Sequence, residues 1–294
     1  MTLRKGDRWY MVTIAVIGLL FILGISGFIF INQPSFGHLP QGERLERIKH
    51  SPQYRNSMFV NQHFTTLMTS DKGRFQTMWE FLFSRKKGVR PIEMIPAIYT
   101  SLNLLSKGDD LMIWFGHSSY LLQLSEKRIL VDPVFCMAAP VSFVNKPFPG
   151  SNIYKPQDMP DIDYLIITHD HWDHLDYQTV MQLKSRICKV ICPLGVGEHF
   201  EYWGFDKKKI IELDWHEDAL LENGFIIHCL PARHFSERGL NSNQTLWASF
   251  LMESPSQKIY MGGDSGYDTH FKEIGTKYRN IDLAILENEQ YNDD

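Results

Sequence analysis

The feature that most restricts this chain is a run of 21 residues, 11–31, that contains no charged side chain. About 20 apolar residues in a helix suffice to cross a hydrocarbon core about 30 Å thick. Three basic residues precede the run, and the next basic residue after it is Arg44. The positive-inside rule therefore predicts a single transmembrane helix, with residues 1–10 in the cytoplasm and the rest in the periplasm or another extracytoplasmic space.

A cleaved signal peptide is the alternative interpretation of the same segment. The apolar region of a signal peptide is normally about 7–15 residues long and is followed by a small-residue cleavage site of the A-x-A type. The run here is longer, and no such site follows it. A permanent membrane anchor is therefore the favoured interpretation.

Composition excludes several classes of protein. A length of 294 residues is that of one large or two small domains, and 44% hydrophobic residues are ordinary for a globular chain. The 30 basic and 34 acidic side chains leave a net charge of −4, which argues against a nucleic-acid partner. Four cysteines are too few for a disulfide scaffold, and nothing in the composition indicates an oligomeric state.

Residues 32–105 are predicted to be a connector and a helical stalk. Prolines and glycines interrupt 32–60, where the charged run at 42–50 is long enough for two helical turns at most. The stretch 74–105 begins as an amphipathic helix with a basic end at 85–87. That end is either a solvated helix terminus or a surface that rests on anionic lipid headgroups.

Residues 106–294 are predicted to form one catalytic domain. Three short apolar runs separated by turn residues indicate an antiparallel meander, and strands then alternate with helices. The predicted strands are 111–115, 120–124, 128–131, 164–168, 189–192, 210–213, 225–230, 246–252, 258–261 and 281–286, and the predicted helices are 177–186, 196–203 and 269–278. This mixture predicts an α/β fold with two sheets and helices outside them.

Chemistry is concentrated directly after the strand predicted at 164–168. Five metal-competent side chains occupy six positions there: His169, Asp170, His171, Asp173 and His174. Neutral imidazole nitrogen and carboxylate oxygen are ligands of Zn²⁺, and a site without thiolates leaves room for water. Helix capping alone would not require so many histidines. The loop therefore predicts a metal site at the carboxyl end of a strand.

Three further residues follow other predicted strands. His234 and Asp264 each come just after an apolar run and are candidate metal ligands. His117 either contacts the substrate or a ligand, or packs in a turn. The remaining histidines are assigned to the surface or the core: His38, His50, His63, His199, His216, His228 and His270.

These motifs carry a resemblance to a known family. The six residues 169–174, followed by His234 and by Asp264 in a Gly-Gly-Asp-Ser-Gly stretch, resemble the H-x-H-x-D-H signature and downstream ligands of metallo-β-lactamase fold hydrolases. Stretches 114–119, 132–135, 168–176 and 262–267 look like the branch that contains N-acyl-phosphatidylethanolamine-hydrolysing phospholipase D. Ascorbate-6-phosphate lactonases share fewer of them. The resemblance implies a four-layer αβ/βα sandwich with two zinc ions at one edge.

The resemblance also implies a role for each site residue. One zinc is held by His169, His171 and His234, the other by Asp173 and His174, and Asp264 bridges the two. A hydroxide between the metals attacks the phosphorus of a phosphodiester. Asp173 orients this hydroxide or accepts its proton, and His117 contacts the phosphoryl oxygens.

The chain departs from the family pattern near its carboxyl end. The pattern supplies a further histidine to the second zinc, tens of residues after the bridging aspartate, but no histidine follows His270. The chain therefore looks truncated, and its second zinc site is expected to be incomplete. Glu287, Glu289 and Asp293 are the alternative oxygen ligands, although absence of the ligand is the simpler interpretation.

The sequence thus predicts a membrane-anchored, zinc-dependent, phospholipase D-like hydrolase. Its expected substrate is a phosphodiester such as an N-acyl-phosphatidylethanolamine-like phospholipid. Hydrolysis of a lactone or a soluble phosphoester is one alternative. A catalytically weakened metal-binding remnant is the other.

Overall fold

The computed structural model describes residues 5–66, 72–83, 88 and 90–288. Its amino-terminal elements are α1 (Lys5–Ile31), α2 (Gly42–Lys49), the paired strands β1 (Tyr54–Arg55) and β2 (Met58–Phe59), and α3 (Arg74–Phe83). Within α1, the 23 residues Trp9–Ile31 are long and apolar enough to cross a membrane, and none of the most apolar stretch is buried. The predicted basic end at 85–87 lies outside the described residues.

The first sheet has six strands. The predicted metal loop, residues 169–174, follows one of them. The elements of this sheet are β3 (Leu111–Gly116), β4 (Ser119–Leu124), β5 (Lys127–Val131), β6 (Ile162–Ile166), α4 (Tyr177–Leu183), β7 (Ile187–Pro193), α5 (Gly197–Tyr202) and β8 (Ile210–Leu213). The strands lie in chain order, so that β3, β4 and β5 form the predicted antiparallel meander and β5 to β8 run parallel. The carboxyl ends of β5 and β6 therefore lie side by side.

The second sheet has five strands in the order β13-β12-β11-β10-β9. Its elements are β9 (Asp218–Leu220), β10 (Ile226–Leu230), β11 (Ser249–Glu253), β12 (Lys258–Met261), α6 (His270–Lys277) and β13 (Leu283–Ile285). Strands β9 to β12 pair antiparallel, and β13 pairs parallel with β12.

Side-chain alternation along the strands builds four layers. Leu122 of β4 lies in the core between the two sheets, together with residues such as Phe250 of β11. The neighbouring Leu121 points the other way and packs in the cluster that contains residues of α4 and α5. Ile274 of α6 covers the outer face of the second sheet. This is the metallo-β-lactamase sandwich, and it explains why strands buried on both faces read as continuous apolar runs.

Two predicted strands are displaced for a common reason. Strand β6 ends at Ile166 because the N–H of Thr168 donates to the Asp132 carboxylate, at 2.8 Å, instead of to a strand. The segment 246–248, predicted to begin a strand, precedes β11. There the N–H of Leu246 donates to the carbonyl of Leu194 and that of Ala248 to the carbonyl of Thr168. These bonds join the two sheets next to the metal loop.

The first half of the connector packs tightly against the catalytic domain. The indole N–H of Trp203 donates to the Pro34 carbonyl at 2.7 Å, and the His38 N–H donates to His199 Nδ1 at 3.1 Å. Arg44 of α2 donates to Glu212 at 2.8 Å and also pairs with two carboxylates of α5, those of Glu198 and Glu201. A largely buried guanidinium with several carboxylate partners gives this contact a defined geometry.

Gly37 tests whether the close packing of the connector stabilises the fold. Its φ is +72°, and an added Cβ would lie 2.1 Å from Nδ1 of His199. We expect Gly37→Ala to lower the free energy of unfolding by about 2–4 kcal/mol, because it adds both a clash and a left-handed alanine. Equilibrium denaturation of the full chain in detergent, followed by tryptophan fluorescence, measures the change.

Gly275 in α6 is the matched control, since an added Cβ there meets nothing within 4 Å. Gly275→Ala is expected to leave stability unchanged or to raise it by up to about 1 kcal/mol. Equal stabilities of the two alanine variants would contradict the close packing of the connector.

Candidate metal centre

The predicted metal loop turns sharply as it leaves β6. The N–H groups of His174 and Leu175 both donate to the carbonyl of His171, at 3.1 and 2.8 Å. Asp176 then caps α4, where its carboxylate accepts from the N–H of Gln178 at 3.0 Å. This turn brings side chains from both ends of a six-residue loop into one space.

Three of the predicted ligands form a first group. His169 and His171 come from the loop, and His234 comes from the segment after β10. One ring nitrogen from each lies within 4.8 Å of the others. His171 Nδ1 and His234 Nε2 are 3.2 Å apart. The structure therefore brings together the three residues predicted to share one ion.

A second group lies beside the first. His117, Asp173 and His174 place their ligand atoms within 4.8 Å of one another, and His117 Nε2 is 3.3 Å from Asp173 Oδ2. From the sequence, His117 was predicted to contact the substrate or a ligand, or to pack in a turn. Its position beside Asp173 also makes it a potential donor to the second ion.

Asp264 faces both groups. Its Oδ1 is 3.1 Å from His174 Nε2, and its Oδ2 is 3.7 Å from His234 Nε2. The approach depends on Gly263, whose φ is +60° and where an added Cβ would lie 2.8 Å from the Cβ of Thr168. Without a side chain at this position, the end of β12 comes close to the end of β6. Asp264 thus occupies the position expected of a bridging ligand.

Asp132, at the end of β5, sets the orientation of two imidazoles. Its carboxylate accepts from the Thr168 hydroxyl at 2.6 Å and from His174 Nδ1 at 2.8 Å. The Thr168 hydroxyl has one proton, so it accepts from His169 Nδ1, 3.0 Å away. This network assigns the protons of His169 and His174 to Nδ1. The Nε2 lone pairs of both rings therefore face the centre.

The buried polar atoms of this centre fit a metal ion. Within the described ranges, His169 Nε2 is buried and has no hydrogen-bond partner, while the buried His174 Nε2 and Asp264 Oδ1 face each other across 3.1 Å. Leaving a buried polar atom such as His169 Nε2 unsatisfied costs about 1–3 kcal/mol. A cation that binds the His169 lone pair removes this cost, and His174 and Asp264 lie close enough to bind the same cation. Nitrogen and oxygen donors without thiolate suit Zn²⁺ among the common divalent ions.

The first group is held in the neutral form that binds metal. Burial, followed by the neighbouring imidazoles, holds the pKa of His169 well below its ordinary value. Burial also lowers the pKa of His171, and it lowers the pKa of His234 to about 3. Near neutral pH these rings therefore offer lone pairs, and protons do not compete with a cation for them.

Around the second group, nearby opposite charges shift the pKa values more strongly than burial does. Burial favours a higher pKa for Asp173, but the hydrogen bond from His117 and the nearby imidazoles hold it below its usual range. His174 likewise offsets burial and lowers the pKa of Asp264. Burial favours a lower pKa for His174, yet Asp264 and Asp132 raise it well above the ordinary value. The two carboxylates thus favour positive charge at this point.

Two residues support the loop in a way that the sequence did not predict. Arg238 is buried and donates through Nη1 to the carbonyls of Asp170 and Leu175, at 3.0 and 2.7 Å. Burial lowers the pKa of Arg238 to about 10. Asp170, predicted only as part of the metal cluster, instead accepts from Thr245 Oγ1 at 2.8 Å and lies 3.2 Å from His199 Nε2. Asp170 thus supports the loop through contacts with residues outside the metal groups.

Of the alternative oxygen ligands, Glu287 is the one that the structure describes. No potential metal group within the described part of the chain includes Glu287. Partial desolvation of its carboxyl group, followed by the negative charge of Asp264, raises its pKa. Glu289 and Asp293 lie outside the described residues.

The four-layer sandwich and the histidine–aspartate centre at its edge define a class, that of the metallo-hydrolases. Residues 127–294 match the β-lactamase superfamily domain, and the chain belongs to this family.

Relatives within the family agree with this class. An uncharacterized protein of Mycobacterium tuberculosis is 36% identical over 248 residues, which cover 82% of this chain and 65% of that protein. The N-acyl-phosphatidylethanolamine-hydrolyzing phospholipase D 1 of Caenorhabditis elegans is 33% identical over 188 residues, 59% of this chain and 52% of that one. A UPF0173 metal-dependent hydrolase of Caldivirga maquilingensis is 28% identical over 175 residues, 59% of this chain and 67% of that one. The chain thus spans less than two thirds of the mycobacterial and nematode relatives.

Asp132→Asn tests the assigned orientation of the two imidazoles. An amide removes the negative charge and offers one acceptor oxygen where the carboxylate offers two. We expect zinc to bind about 10- to 100-fold more weakly, the usual cost of losing a partner that orients a ligand. Titration against a chelating dye measures the affinity.

Asp163→Asn is the matched control for this substitution. Asp163 lies at the start of β6, away from the centre, where it accepts from the Arg128 N–H at 2.9 Å. Its variant should bind zinc as the parent chain does. Equal losses in both variants would point to general destabilisation and would contradict the assigned role of Asp132.

Proposed function

We propose that this protein is a membrane-anchored zinc hydrolase that cleaves a phosphodiester, with an N-acyl-phosphatidylethanolamine-like phospholipid as its substrate. The observation that carries the proposal is the position of Asp264. Its two oxygens face two adjacent groups of donors, and the neighbouring Nε2 of His169 is buried without a hydrogen-bond partner in the described structure. Such an arrangement suits a pair of ions rather than one.

Each donor has a proposed role. One zinc is assigned to His169, His171 and His234, and Asp264 is shared between the two ions. The other zinc is assigned to Asp173 and His174. The ring orientations and the distances given above support these assignments.

A pair of bound zinc ions supplies charge that stabilises the oxygens of a displacement at phosphorus, and it lowers the pKa of water to about 7. Within the chain, Asp173 is the proposed proton acceptor, because its lowered pKa keeps it ionised at neutral pH. His117, 3.3 Å from Asp173 Oδ2, is placed to donate to a phosphoryl oxygen beside it. Arg238 keeps the metal loop in place from the opposite side.

The choice of a phospholipid has two supports. A relative that is 33% identical over the matched region is named for hydrolysis of N-acyl-phosphatidylethanolamine. The apolar stretch of α1, Trp9–Ile31, would hold the domain at a membrane, where such a substrate is found. We propose that the domain lies on the extracytoplasmic side, as the basic residues before α1 indicate.

His171→Ala tests the metal centre and the reaction together. The parent chain is expected to contain about two zinc ions by elemental analysis. The variant should lose at least one of them, and it should hydrolyse N-acyl-phosphatidylethanolamine in mixed micelles more than about 100-fold more slowly, since even partners of ligands cost up to that factor. His50→Ala, which changes an exposed histidine of the connector, is the control and should retain both metal and activity.

Three substrates assayed side by side separate the alternatives. Hydrolysis of a lactone or of a soluble phosphomonoester, without hydrolysis of the phospholipid, would replace the proposed substrate. Less than one zinc per parent chain, with no hydrolysis of any of the three, would indicate a metal-binding remnant instead of an enzyme.

A further inference from the structure

The membrane helix ends very close to the catalytic domain. Helix α1 stops at Ile31, and the carbonyl of Pro34 already accepts a hydrogen bond from the indole of Trp203 at 2.7 Å. A chain of three residues spans at most about 11 Å even when fully extended. The domain surface around Trp203 must therefore lie within about that distance of the helix end, whatever the tilt of α1.

A line of aromatic contacts leads from this helix end to the metal loop. The ring of Phe30, in the last turn of α1, is 5.4 Å from the ring of Phe36. The Phe36 ring is 4.9 Å from that of Trp172, the residue between His171 and Asp173. The contact is edge-to-face, an arrangement that aromatic pairs prefer. The ring of Phe36 thus links the anchor to the loop that carries the proposed zinc ligands.

Arg238 forms hydrogen bonds with both the connector and the metal loop. Its Nε donates to the carbonyl of Ser35 in the connector at 2.9 Å, while Nη1 donates to both ends of the metal loop. The guanidinium carbon lies 4.4 Å from the ring centre of Trp172 and 5.3 Å from that of Trp203. Because Arg238 is buried and bonded to both segments, the connector does not act as a flexible linker.

We propose that this attachment seats the metal-loop face of the domain on the bilayer into which α1 inserts. The partner is the headgroup layer of that membrane, about 5–7 Å thick on each side. The inference rests on the anchor in the proposed function and adds an orientation and a contact surface. Substrates would then reach the metal centre from the leaflet nearest the domain.

Exposed apolar side chains beside the site form the proposed contact surface. Leu240 is 79% exposed and comes two residues after Arg238. Trp114 is 65% exposed, and its indole donates to the carbonyl of His117 at 2.7 Å. Tyr267, three residues after Asp264, is 82% exposed. Tryptophan and tyrosine are enriched where headgroups meet hydrocarbon, which fits contact with a bilayer.

Leu220 provides a matched position at the other end of the sandwich. It is 78% exposed and lies on β9, where it pairs with Ile226 at the start of β10. Strand β10 then runs away from it toward His234. The proposal therefore places Leu240 in lipid and Leu220 in water.

The test attaches a nitroxide to Leu240→Cys or to Leu220→Cys in the full chain, with Cys136→Ser and Cys188→Ser removing the exposed thiols. The protein is reconstituted in phosphatidylethanolamine–phosphatidylglycerol vesicles, and relaxation by oxygen is compared with relaxation by a nickel chelate. The label at 240 should show a several-fold higher ratio of oxygen to nickel accessibility than the label at 220. Equal ratios typical of water at both positions would overturn the proposal.

A second variant examines the short connector. A flexible ten-residue Gly-Ser insertion between Gln33 and Pro34 leaves the docked connector intact but frees it from the helix end. The ratio at position 240 should fall toward that at 220, and an unchanged ratio would overturn the role of the connector. The label reports contact without requiring activity. Lipid contact at 240 without phospholipid hydrolysis supports the orientation and removes the proposed substrate, whereas hydrolysis with an aqueous label at 240 removes the orientation alone.

Discussion

The metal centre depends on one carboxylate that is not itself among its potential metal ligands. Asp132 accepts from the N–H and hydroxyl of Thr168 and from the ring of His174. The fold supplies this arrangement because β5 and β6 are adjacent and parallel, so that their carboxyl ends meet at one edge. Once Asp132 sets the proton positions of His169 and His174, both Nε2 lone pairs face inward. The orientation of the two imidazoles is therefore set by the adjacent carboxyl ends of β5 and β6.

Short-range patterns predicted much of this molecule, and long-range partners account for what they missed. Strand 258–261 was predicted with its observed bounds, because an apolar run between turn residues is a local signal. The histidine cluster was equally visible, since its members are neighbours in sequence. Arg238 was not, because the carbonyls to which it donates lie 63 and 68 residues away. No residue near Arg238 in the sequence indicates that its side chain is buried and supports the metal loop.

Long-range partners also explain why the predicted strand 246–252 begins later than expected. Its composition suits a strand, but two of its N–H groups find carbonyl partners in separate loops before β11 starts. Likewise, the charged run at 42–50 predicts two helical turns at most, and α2 indeed has only eight residues. Its docking through Arg44 depends on glutamates that no local pattern connects to it. Such contacts exist only once the whole domain has folded.

The long sequence separations around Arg44 also set an order of events during synthesis. Its three carboxylate partners come 154, 157 and 168 residues later in the chain. In the proposed membrane-anchored arrangement, the apolar helix is made and inserted before the residues that hold the connector exist. Closing so long a loop is slow, because its entropy is lost before any contact compensates. Under that proposal, the domain would be fixed against the membrane surface only after these late contacts have formed.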